Sequence, residues 1–539
     1  MTDLCSRRLL FATAITVCAI LTGCALAPGR VGYLVKSPAA RPLVVRTGSG
    51  PVRGVTTPQG QAFLGIPFAA PPVGSLRFAP PAPATGWQTV RDATQAGPIC
   101  PQDSLPGAGR QSEDCLNLNV YAPHDASPGR RRPVMVWLYG GGFDSGDNAT
   151  YDPSRLAEQK GVVVVSPNYR LGSLGFMAHP ALRGAGEGAY ALMDQQAALR
   201  WVAANITQFG GDPDNVTLFG ESAGGMSACY QLTAPSARGL FQRSIIESGA
   251  CTSPLSAISL ADAEAGGARM AAALGCDAGA GAGAADCLRR VPVSKLLKAK
   301  ASRRGILGLD SWSPAWGGNV LPVSPRMGFE TGRFAALPVI NGTNHDEGRI
   351  FLYTNRLKGK LFTQSSYEKI LGDAFQDVTP KVLAEYADEA RRARGIAYAD
   401  VVTDSTFACP ALTLDSLLRR RSTVYAYQFD DPHAATTLPP TPITPRLGSF
   451  HSAEIAYVFQ TPWAAANPAV FDQGQRDLSE RIETYWSAFA KAGDPNATEG
   501  LPWPKDTGGE PFRLSPTDAG SKASFAADHH CAFWNALGY

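Results

Sequence analysis

Strand-like and helix-like hydrophobic patterns alternate along most of this chain. The four consecutive valines at 162–165 and the apolar stretch 133–139 leave no polar face, which is typical of central strands in a parallel sheet. By contrast, Leu192, Leu199 and Val202 recur at helical spacing and predict a helix over 189–205. This alternation favours an α/β fold, with a large, mostly parallel sheet covered by helices on both faces.

The same patterns continue to the C-terminus without a linker that would divide the chain. Strands are predicted at 116–121, 133–139, 161–167, 216–220, 244–246, 338–342 and 424–429, after a hairpin within 41–55. A late helix is predicted at 479–491. The helix-like segments 252–335 and 350–420 lie between strands, and we expect them to be insertions that wall a site. A single domain over 41–539 is therefore expected.

Composition adds few constraints to this picture. The 539 residues are 44% hydrophobic and 18% charged, with a formal net charge of +3. So small a charge for this length gives no reason to expect a nucleic-acid partner or a polybasic membrane surface. The 56 glycines and 42 prolines indicate many loops between the elements.

The N-terminus has the pattern of an export signal. Two arginines at positions 7 and 8 precede an apolar run of 13 residues, 9–21, which is too short to span a bilayer. The sequence Leu-Thr-Gly-Cys at 21–24 resembles a lipobox. It predicts a signal peptide over 1–23, lipidation of Cys24 and a tether over 24–40. A membrane anchor through Cys24 is therefore expected.

Two alternatives at this terminus remain open. The segment 25–27 reads Ala-Leu-Ala, a signal-peptidase pattern that would release a soluble exported protein. The segment 6–10 also resembles a twin-arginine export signal. If Cys24 is lipidated, Ala25 after it favours the bacterial outer membrane or the periplasm, whereas cleavage after 25–27 gives a secreted protein.

Eleven cysteines occur, and three of them lie at or before the predicted lipidation site. Export makes pairing of the other eight possible, but spacing alone does not determine the connectivity. The short loops 100–115 and 276–287 are the natural local candidates. The eight are Cys100, Cys115, Cys229, Cys251, Cys276, Cys287, Cys409 and Cys531.

The most informative stretch is 216–225, which reads Val-Thr-Leu-Phe-Gly-Glu-Ser-Ala-Gly-Gly. A strand pattern runs into Gly-x-Ser-x-Gly and then into small residues that can begin a helix. This order is typical of a nucleophile elbow, a turn so tight that only glycine fits beside the serine. We therefore predict that Ser222 is an exposed nucleophile at the carboxyl end of a strand.

A serine nucleophile needs a base and a group that orients the base. Of the seven histidines, two precede the elbow and two lie in the C-terminal tail, which leaves His345, His433 and His451. In elbow enzymes the acid and then the base follow the serine on later loops. Asp346 and Glu347 follow the strand at 338–342, and His451 comes later; His433, in a proline-rich loop, is the weaker candidate.

Attack of a serine on a carbonyl group creates an oxyanion, which needs backbone N–H donors to stabilise it. Gly140, Gly141 and Gly142 follow the strand at 133–139 and can present unobstructed N–H groups. The N–H of Ala223, directly after the nucleophile at a helix start, is a further donor. A metal site is a poor alternative, because no cluster of His or Cys stands at ligand spacing.

Taken together, these motifs resemble the type-B carboxylesterase family, which includes the cholinesterases. The resemblance runs from about Arg46 to the C-terminus and rests on 137–143, 194–213, 220–225, 342–348 and 451–455. It implies an α/β-hydrolase fold and an esterase that acts on small-molecule substrates without a cofactor. The catalytic residues it implies are Ser222, Glu347 rather than Asp346, and His451, with Gly141, Gly142 and Ala223 forming the oxyanion hole.

The resemblance also implies three disulfides and one buried ion pair. The implied disulfides are Cys100–Cys115, Cys276–Cys287 and Cys409–Cys531. Cys229 and Cys251 have no assignable counterpart, so a fourth disulfide and two buried thiols remain equal alternatives. Arg77 and Glu113 match a structural ion pair rather than catalytic groups.

Departures from the cholinesterases narrow the expected substrate. The loop 100–115 is short and contains no tryptophan, while Ile350 and Asp144 stand where cholinesterases carry aromatic residues. A choline cage needs such aromatic faces, so we expect hydrolysis of neutral carboxylic esters. The alternatives are an amidase or carbamate hydrolase with the same catalytic residues, and a non-catalytic recognition protein on this fold. The oligomeric state is left open.

Overall fold

The computed structural model describes most of the chain from residue 43 onward. The expected signal peptide and tether, including Cys24, lie outside the described residues. Within the described residues, no helix combines the length and the apolar character needed to span a membrane. The described ranges are 43–103, 109–184, 186–277, 282–299, 306, 312–439, 446–463, 465–496, 502–517, 520–521 and 524–539.

A long twisted sheet forms the centre of the molecule. Its strand order is β1-β2-β3-β5-β7-β6-β8-β9-β12-β13-β14-β15, and β4 pairs with β2. The short strands β10 and β11 pair separately. The bounds are β1 Leu43–Thr47, β2 Gly50–Thr57, β3 Gly60–Pro67, β4 Arg91–Asp92, β5 Asn117–Ala122, β6 Arg132–Leu138, β7 Val163–Pro167, β8 Gly211–Glu221, β9 Arg243–Glu247, β10 Ile258–Ser259, β11 Ala315–Trp316, β12 Val339–Asn344, β13 Val424–Phe429, β14 Phe512–Leu514 and β15 Gly520–Ser521.

Pairing is parallel from β7 through β14 and antiparallel at both margins of the sheet, except that the short β4 pairs with β2 in parallel. The strands β5, β7, β12 and β13 are buried along their whole length, because helices cover both faces. The predicted α/β-hydrolase fold is confirmed. As a consequence, the carboxyl ends of β6, β8, β9, β12 and β13 meet along one edge of the sheet.

Helices flank the sheet and build the two insertions. The α-helices are Ser154–Lys160, Gly172–Phe176, Tyr190–Asn205, Ala223–Thr233, Leu260–Ala273, Ala282–Arg290, Val293–Lys298, Pro325–Glu330, Arg349–Leu357, Gln364–Phe375, Thr379–Glu385, Ala387–Val402, Cys409–Leu418, Ile455–Phe459, Gln473–Ala492, Phe525–Asp528 and Cys531–Ala536. A π-helical segment, Thr403–Ala408, joins two of these helices. Single 3-10 turns lie at Gly74–Leu76, Pro180–Leu182, Ile206–Phe209, Pro235–Ala237, Gln376–Val378 and Pro468–Val470.

Two elements extend beyond the bounds predicted from the sequence. The helix expected at 479–491 begins at Gln473, because Asp472 and Gln475 form a capping box that satisfies its first N–H groups. Strand β8 begins at Gly211 rather than at 216. Gly211 pairs with Arg132, and a bulge then separates this contact from the regular ladder.

Four disulfides connect these elements. Three join the pairs that the family resemblance implies: Cys100–Cys115, Cys276–Cys287 and Cys409–Cys531. The fourth joins Cys229 to Cys251, the pair for which the sequence left two alternatives. It ties the helix Ala223–Thr233 to the loop that follows β9, directly behind the elbow.

Candidate active site

Ser222 lies at the apex of a strained turn between β8 and the helix Ala223–Thr233. Its φ and ψ angles are 57° and −123°, a region that a non-glycine residue occupies only where the surrounding structure enforces it. A Cβ at Gly220 or Gly224 would lie 2.5 Å or 1.9 Å from the carbonyl oxygen of Leu138. Glycine is therefore required on both sides of the serine, and the turn presents the hydroxyl at the sheet edge.

A chain of hydrogen bonds links Ser222 to a histidine and a carboxylate. The Oγ of Ser222 lies 2.8 Å from Nε2 of His451, and Nδ1 of His451 lies 2.6 Å from Oε2 of Glu347. The other carboxylate oxygen of Glu347 accepts from the N–H of Asn344 at 2.8 Å. Because Glu347 is fully buried and accepts at both oxygens, its carboxylate holds the imidazole with Nδ1 protonated and Nε2 free to accept.

The neighbouring carboxylate, Asp346, is turned away from this chain. It lies 2.9 Å from Nη2 of Arg349 and 3.0 Å from Nδ1 of His345, and it accepts from the N–H of Ser449. Burial opposes its charge, but the contacts with His345 and Arg349 outweigh burial and lower the pKa of Asp346. Of the two candidates left open by the residues, Glu347 is therefore the one beside His451.

The remaining candidate histidines have other contacts. His345 lies against Asp346, as described above. The N–H of His433 donates to Asp431 in its own loop, and no contact joins His433 to Ser222 within the described residues.

A second buried carboxylate, Glu221, lies beside the imidazole. Its Oε1 is 3.1 Å from Nε2 of His451 and accepts from the hydroxyl of Ser452 at 2.6 Å. Burial, opposed by His451 and Ser452, raises the pKa of Glu221 to about 7. Burial alone would lower the pKa of His451, but Glu221 and Glu347 outweigh it and raise that pKa. Sequence reasoning missed Glu221, although it stands directly before the serine in the motif.

Two phenyl rings enclose the carbon side of the imidazole. The ring centroid of His451 lies 4.7 Å from that of Phe407 and 5.3 Å from that of Phe351. Phe407 belongs to the π-helical segment, whose Thr403 also accepts from the N–H of Gly348 at 2.9 Å, directly after Glu347. This segment therefore supports both the histidine and the acid loop. No sequence signal pointed to it, because a π-helix has no distinctive residue pattern.

The expected oxyanion donors lie in the loop after β6 and at the start of the helix after Ser222. Gly141 and Gly142 have φ angles of 110° and 64°, and Ala223 is the first residue of its helix. The N–H groups of these three residues have no acceptor within the described part of the chain. A Cβ on Gly140 would lie 3.0 Å from the Cβ of Ser222, which shows how closely this loop approaches the nucleophile.

Two buried ion pairs stabilise the fold, and the family resemblance implies one of them. Arg77 and Glu113 form a bidentate pair with distances of 2.7 and 2.6 Å, away from Ser222. Arg170 and Asp194 form a similar, fully buried pair that sequence reasoning missed. The described residues contain no group of three or more His, Cys, Asp or Glu side chains that could hold a metal ion.

A nucleophile elbow whose serine contacts a buried histidine–carboxylate pair, at the carboxyl edge of this sheet, defines a serine hydrolase with the α/β-hydrolase fold. Residues 41–534 match the model of the Carboxylesterase family. The chain therefore belongs to the carboxylesterase family, and it is a hydrolase of carboxylic esters. The family membership expected from the motifs is confirmed.

Individual relatives agree along nearly the whole chain. Para-nitrobenzyl esterase of Bacillus subtilis (strain 168) is 37% identical over 483 residues, covering 86% of this chain and 92% of that protein. Acetylcholinesterase of Bungarus fasciatus is 34% identical over 95% of this chain and 87% of its own length. Carboxylesterase 1C of Rattus norvegicus is 33% identical, covering 92% and 93%. A solved structure titled PNB esterase superposes with a TM-score of 0.75 at 35% identity, covering 90% of this chain and 98% of its own.

Proposed function

We propose that this protein is an exported serine carboxylesterase that hydrolyses neutral carboxylic esters through an acyl-enzyme on Ser222. The observation that carries the proposal is the unbroken hydrogen-bonded chain from Ser222 through His451 to Glu347. Each contact is within the range that proton transfer requires. The N–H groups of Gly141, Gly142 and Ala223, which have no acceptor within the described residues, add hydrogen-bond donors for a developing oxyanion.

In the proposed cycle, Oγ of Ser222 attacks the ester carbonyl carbon while Nε2 of His451 takes the hydroxyl proton. Glu347 keeps the imidazole oriented and stabilises its cation. The N–H groups of Gly141, Gly142 and Ala223 bind the oxyanion, each donor lowering the barrier by about 3–4 kcal/mol. His451 then protonates the leaving alcohol, and a water molecule activated by His451 hydrolyses the acyl-enzyme.

The preference for uncharged esters rests on the residues beside His451. A choline-type headgroup needs aromatic faces around its cation. Ile350 lies in the wall of the pocket beside His451, at the position where cholinesterases carry an aromatic residue. The loop 100–115 contributes no tryptophan.

The proposed reaction can be tested with p-nitrophenyl esters of increasing acyl length. Wild type, Ser222→Ala and the exposed control Ser365→Ala are compared for steady-state rates and for an initial burst of p-nitrophenol. We expect Ser222→Ala to lose activity with an unchanged melting temperature, and Ser365→Ala to behave as wild type. A p-nitrophenyl phosphonate should also increase the mass of the peptide that contains Ser222. Activity of Ser222→Ala near the wild-type level would contradict the proposal.

The four disulfides are typical of proteins that mature outside the cytoplasm. We further propose that residues 1–23 are removed, that Cys24 is lipidated, and that residues 24–40 tether a single catalytic domain to the bacterial outer membrane. This proposal rests on the leader sequence alone. If it is correct, Cys24→Ser moves the protein from the membrane fraction to the soluble fraction. An unchanged distribution would favour cleavage after 25–27.

A further inference from the structure

A small pocket opens directly beside the catalytic histidine. Its volume is about 190 Å³, enough for one compact substituent rather than a long chain. Its walls are formed by the helix Arg349–Leu357 and by residues of the long segment between β13 and β14. The lining residues in the described part of the chain are Ile350, Phe351, Thr354, Asn355, Lys358, His451, Ser452 and Trp463.

One wall of this pocket is formed by one face of the helix Arg349–Leu357 and by Lys358, the residue that follows the helix. Ile350, Thr354 and Lys358 recur every four residues and therefore share one face. The N–H of Lys358 donates to the carbonyl of Thr354 at 3.2 Å, so the helical hydrogen-bonding pattern continues through the lysine. Ile350 and Thr354 are half-buried and Lys358 is exposed, so this wall has an apolar residue at its inner, buried end and a positive charge at its outer, exposed end.

The charge of Lys358 is not neutralised by a neighbour. The lysine is exposed, and it forms no ion pair within the described residues. No carboxylate occurs among the described residues that line the pocket. The two carboxylates beside the imidazole, Glu347 and Glu221, are 0% and 2% exposed, and Glu221 accepts from the hydroxyl of Ser452. A group entering the pocket therefore meets one formal positive charge at its outer end.

The position of the pocket indicates which half of an ester enters it. The leaving alcohol receives its proton from Nε2 of His451, so it must lie against the imidazole when it departs. The pocket is lined by His451 and Ser452 and does not include Gly141, Gly142 or Ala223. It is therefore placed to receive the alcohol substituent and not the carbonyl oxygen.

We infer that Lys358 is a specificity-determining residue that disfavours esters of cationic alcohols by repulsion at the outer end of the alcohol pocket. The inference rests on the proposed function and deepens it. Ile350 removes one aromatic attraction for cations that cholinesterases have at that position, whereas Lys358 adds an active discrimination against them. An uncharged alcohol of the same shape would be accepted.

The test compares two thioesters of equal shape and different charge. Acetylthiocholine and S-(3,3-dimethylbutyl) thioacetate differ in having a quaternary nitrogen or a quaternary carbon, and both release a thiol that is measured directly. The measured quantity is the ratio of kcat/KM for the cationic substrate to kcat/KM for the neutral one. The variants are Lys358→Gln and Lys358→Glu. The matched control is Lys360→Glu, an exposed lysine two residues further along that does not line the pocket.

We expect the ratio to rise about threefold in Lys358→Gln and about tenfold in Lys358→Glu, which is the scale of single exposed charges. Both effects should shrink in 1 M NaCl because salt screens exposed charges. Lys360→Glu should change the ratio by less than about twofold. Equal shifts for the two lysines, or no shift for Lys358, would overturn the inference.

A second substrate pair tests the assignment of the pocket to the alcohol. The phenyl esters of betaine and of 3,3-dimethylbutanoate carry the same difference in charge on the acyl side. Lys358→Glu should leave their ratio nearly unchanged, and a larger shift here than for the thioesters would overturn the assignment. If wild type hydrolyses the neutral thioester only through Ser222 but the ratio does not respond to Lys358, the charge inference fails and the proposed function stands.

Discussion

Two buried histidines in this molecule carry the same carboxylate contact. Nδ1 of His451 lies 2.6 Å from Glu347, and Nδ1 of His529 lies 2.8 Å from Asp404. Both histidines are less than 10% exposed and both pack against aromatic rings. A buried histidine–carboxylate pair therefore does not by itself identify a base.

The two sites differ at the other ring nitrogen. Nε2 of His451 faces the hydroxyl of Ser222, whereas Nε2 of His529 lies 2.9 Å from the side-chain nitrogen of Gln428. A hydroxyl can transfer its proton and become a nucleophile. A carboxamide N–H can only donate a hydrogen bond, because its proton is far too weakly acidic to transfer. The pair beside Ser222 therefore has the contact that the proposed cycle requires, whereas the pair beside Gln428 has the contacts of a structural crosslink.

The largest expected effect separates the two histidines directly. His451→Asn should lower kcat by about 10⁵-fold or more, because the serine loses its base. His529→Asn should leave kcat within about twofold and lower the free energy of unfolding by about 1–3 kcal/mol, since buried partners lose a hydrogen bond. Steady-state kinetics and urea denaturation measure both variants. A large kcat loss in His529→Asn would remove the distinction.

Much of what distinguishes the site of His451 can be predicted from the sequence alone. The Gly-x-Ser-x-Gly turn after a strand pattern predicts Ser222 as the nucleophile. Chain order then favours His451 as the base, with His433 the weaker candidate. Residue chemistry alone left Asp346 and Glu347 open, because adjacent carboxylates on one loop differ only in the direction of their side chains. The family resemblance favoured Glu347, whereas the structure adds the reason: Asp346 is occupied by Arg349.

Other features could not be inferred because they depend on contacts between distant segments. Glu221 meets Ser452 across 231 positions of sequence, and Phe407 reaches His451 from a helical insertion. The sequence places His529 in a C-terminal tail and excludes it as a base, but it gives no sign that His529 is buried against Asp404 and only 4% exposed. No local hydrophobic pattern encodes such pairings, since each follows from the packing of the insertions on the sheet.

Replacing the carboxylate of each pair should lower catalysis at the His451 site and only stability at the His529 site. Glu347→Gln should lower kcat by about 10³–10⁴-fold, because the imidazole loses the partner that sets its tautomer and stabilises its cation. Asp404→Asn should leave kcat within about twofold and lower stability, since Asp404 also accepts from Tyr386 at 2.6 Å. Kinetics and thermal unfolding of both variants provide the check. A kcat loss shared by both would mean that the second pair supports catalysis.

The disulfide next to His529 should affect stability without affecting proton transfer. Cys409–Cys531 closes a loop of 122 residues, and replacing both cysteines by serine should cost about 4–5 kcal/mol in the chain-entropy model. The control pair, Cys276–Cys287, spans 11 residues and should cost about 3 kcal/mol. The pH dependence of kcat/KM should match wild type in both double variants. A changed pH profile in Cys409→Ser/Cys531→Ser would couple the crosslinked region to the base.

The smallest expected effect concerns the position of the acidic limb of the pH–rate profile. Activity requires neutral His451, so kcat/KM falls as the pH drops through the pKa of that group. Glu221 and Glu347 raise this pKa despite burial, which puts the limb above the ordinary histidine value of about 6.5. Glu221→Gln removes one of the two carboxylates that raise this pKa and should move the limb to lower pH.

Glu385→Gln is the matched control, because Glu385 also contacts a histidine, His530, at 2.8 Å and is not among the groups that shift the pKa of His451. It should leave the limb in place. Profiles for kcat/KM with one p-nitrophenyl ester distinguish the cases, and the apparent values belong to the coupled group of His451, Glu221 and Glu347. An unmoved limb in Glu221→Gln would mean that Glu221 is protonated when the base acts. In that case Glu347 would be the only charged carboxylate that raises the pKa of His451, and each of the two histidines would be paired with a single charged carboxylate.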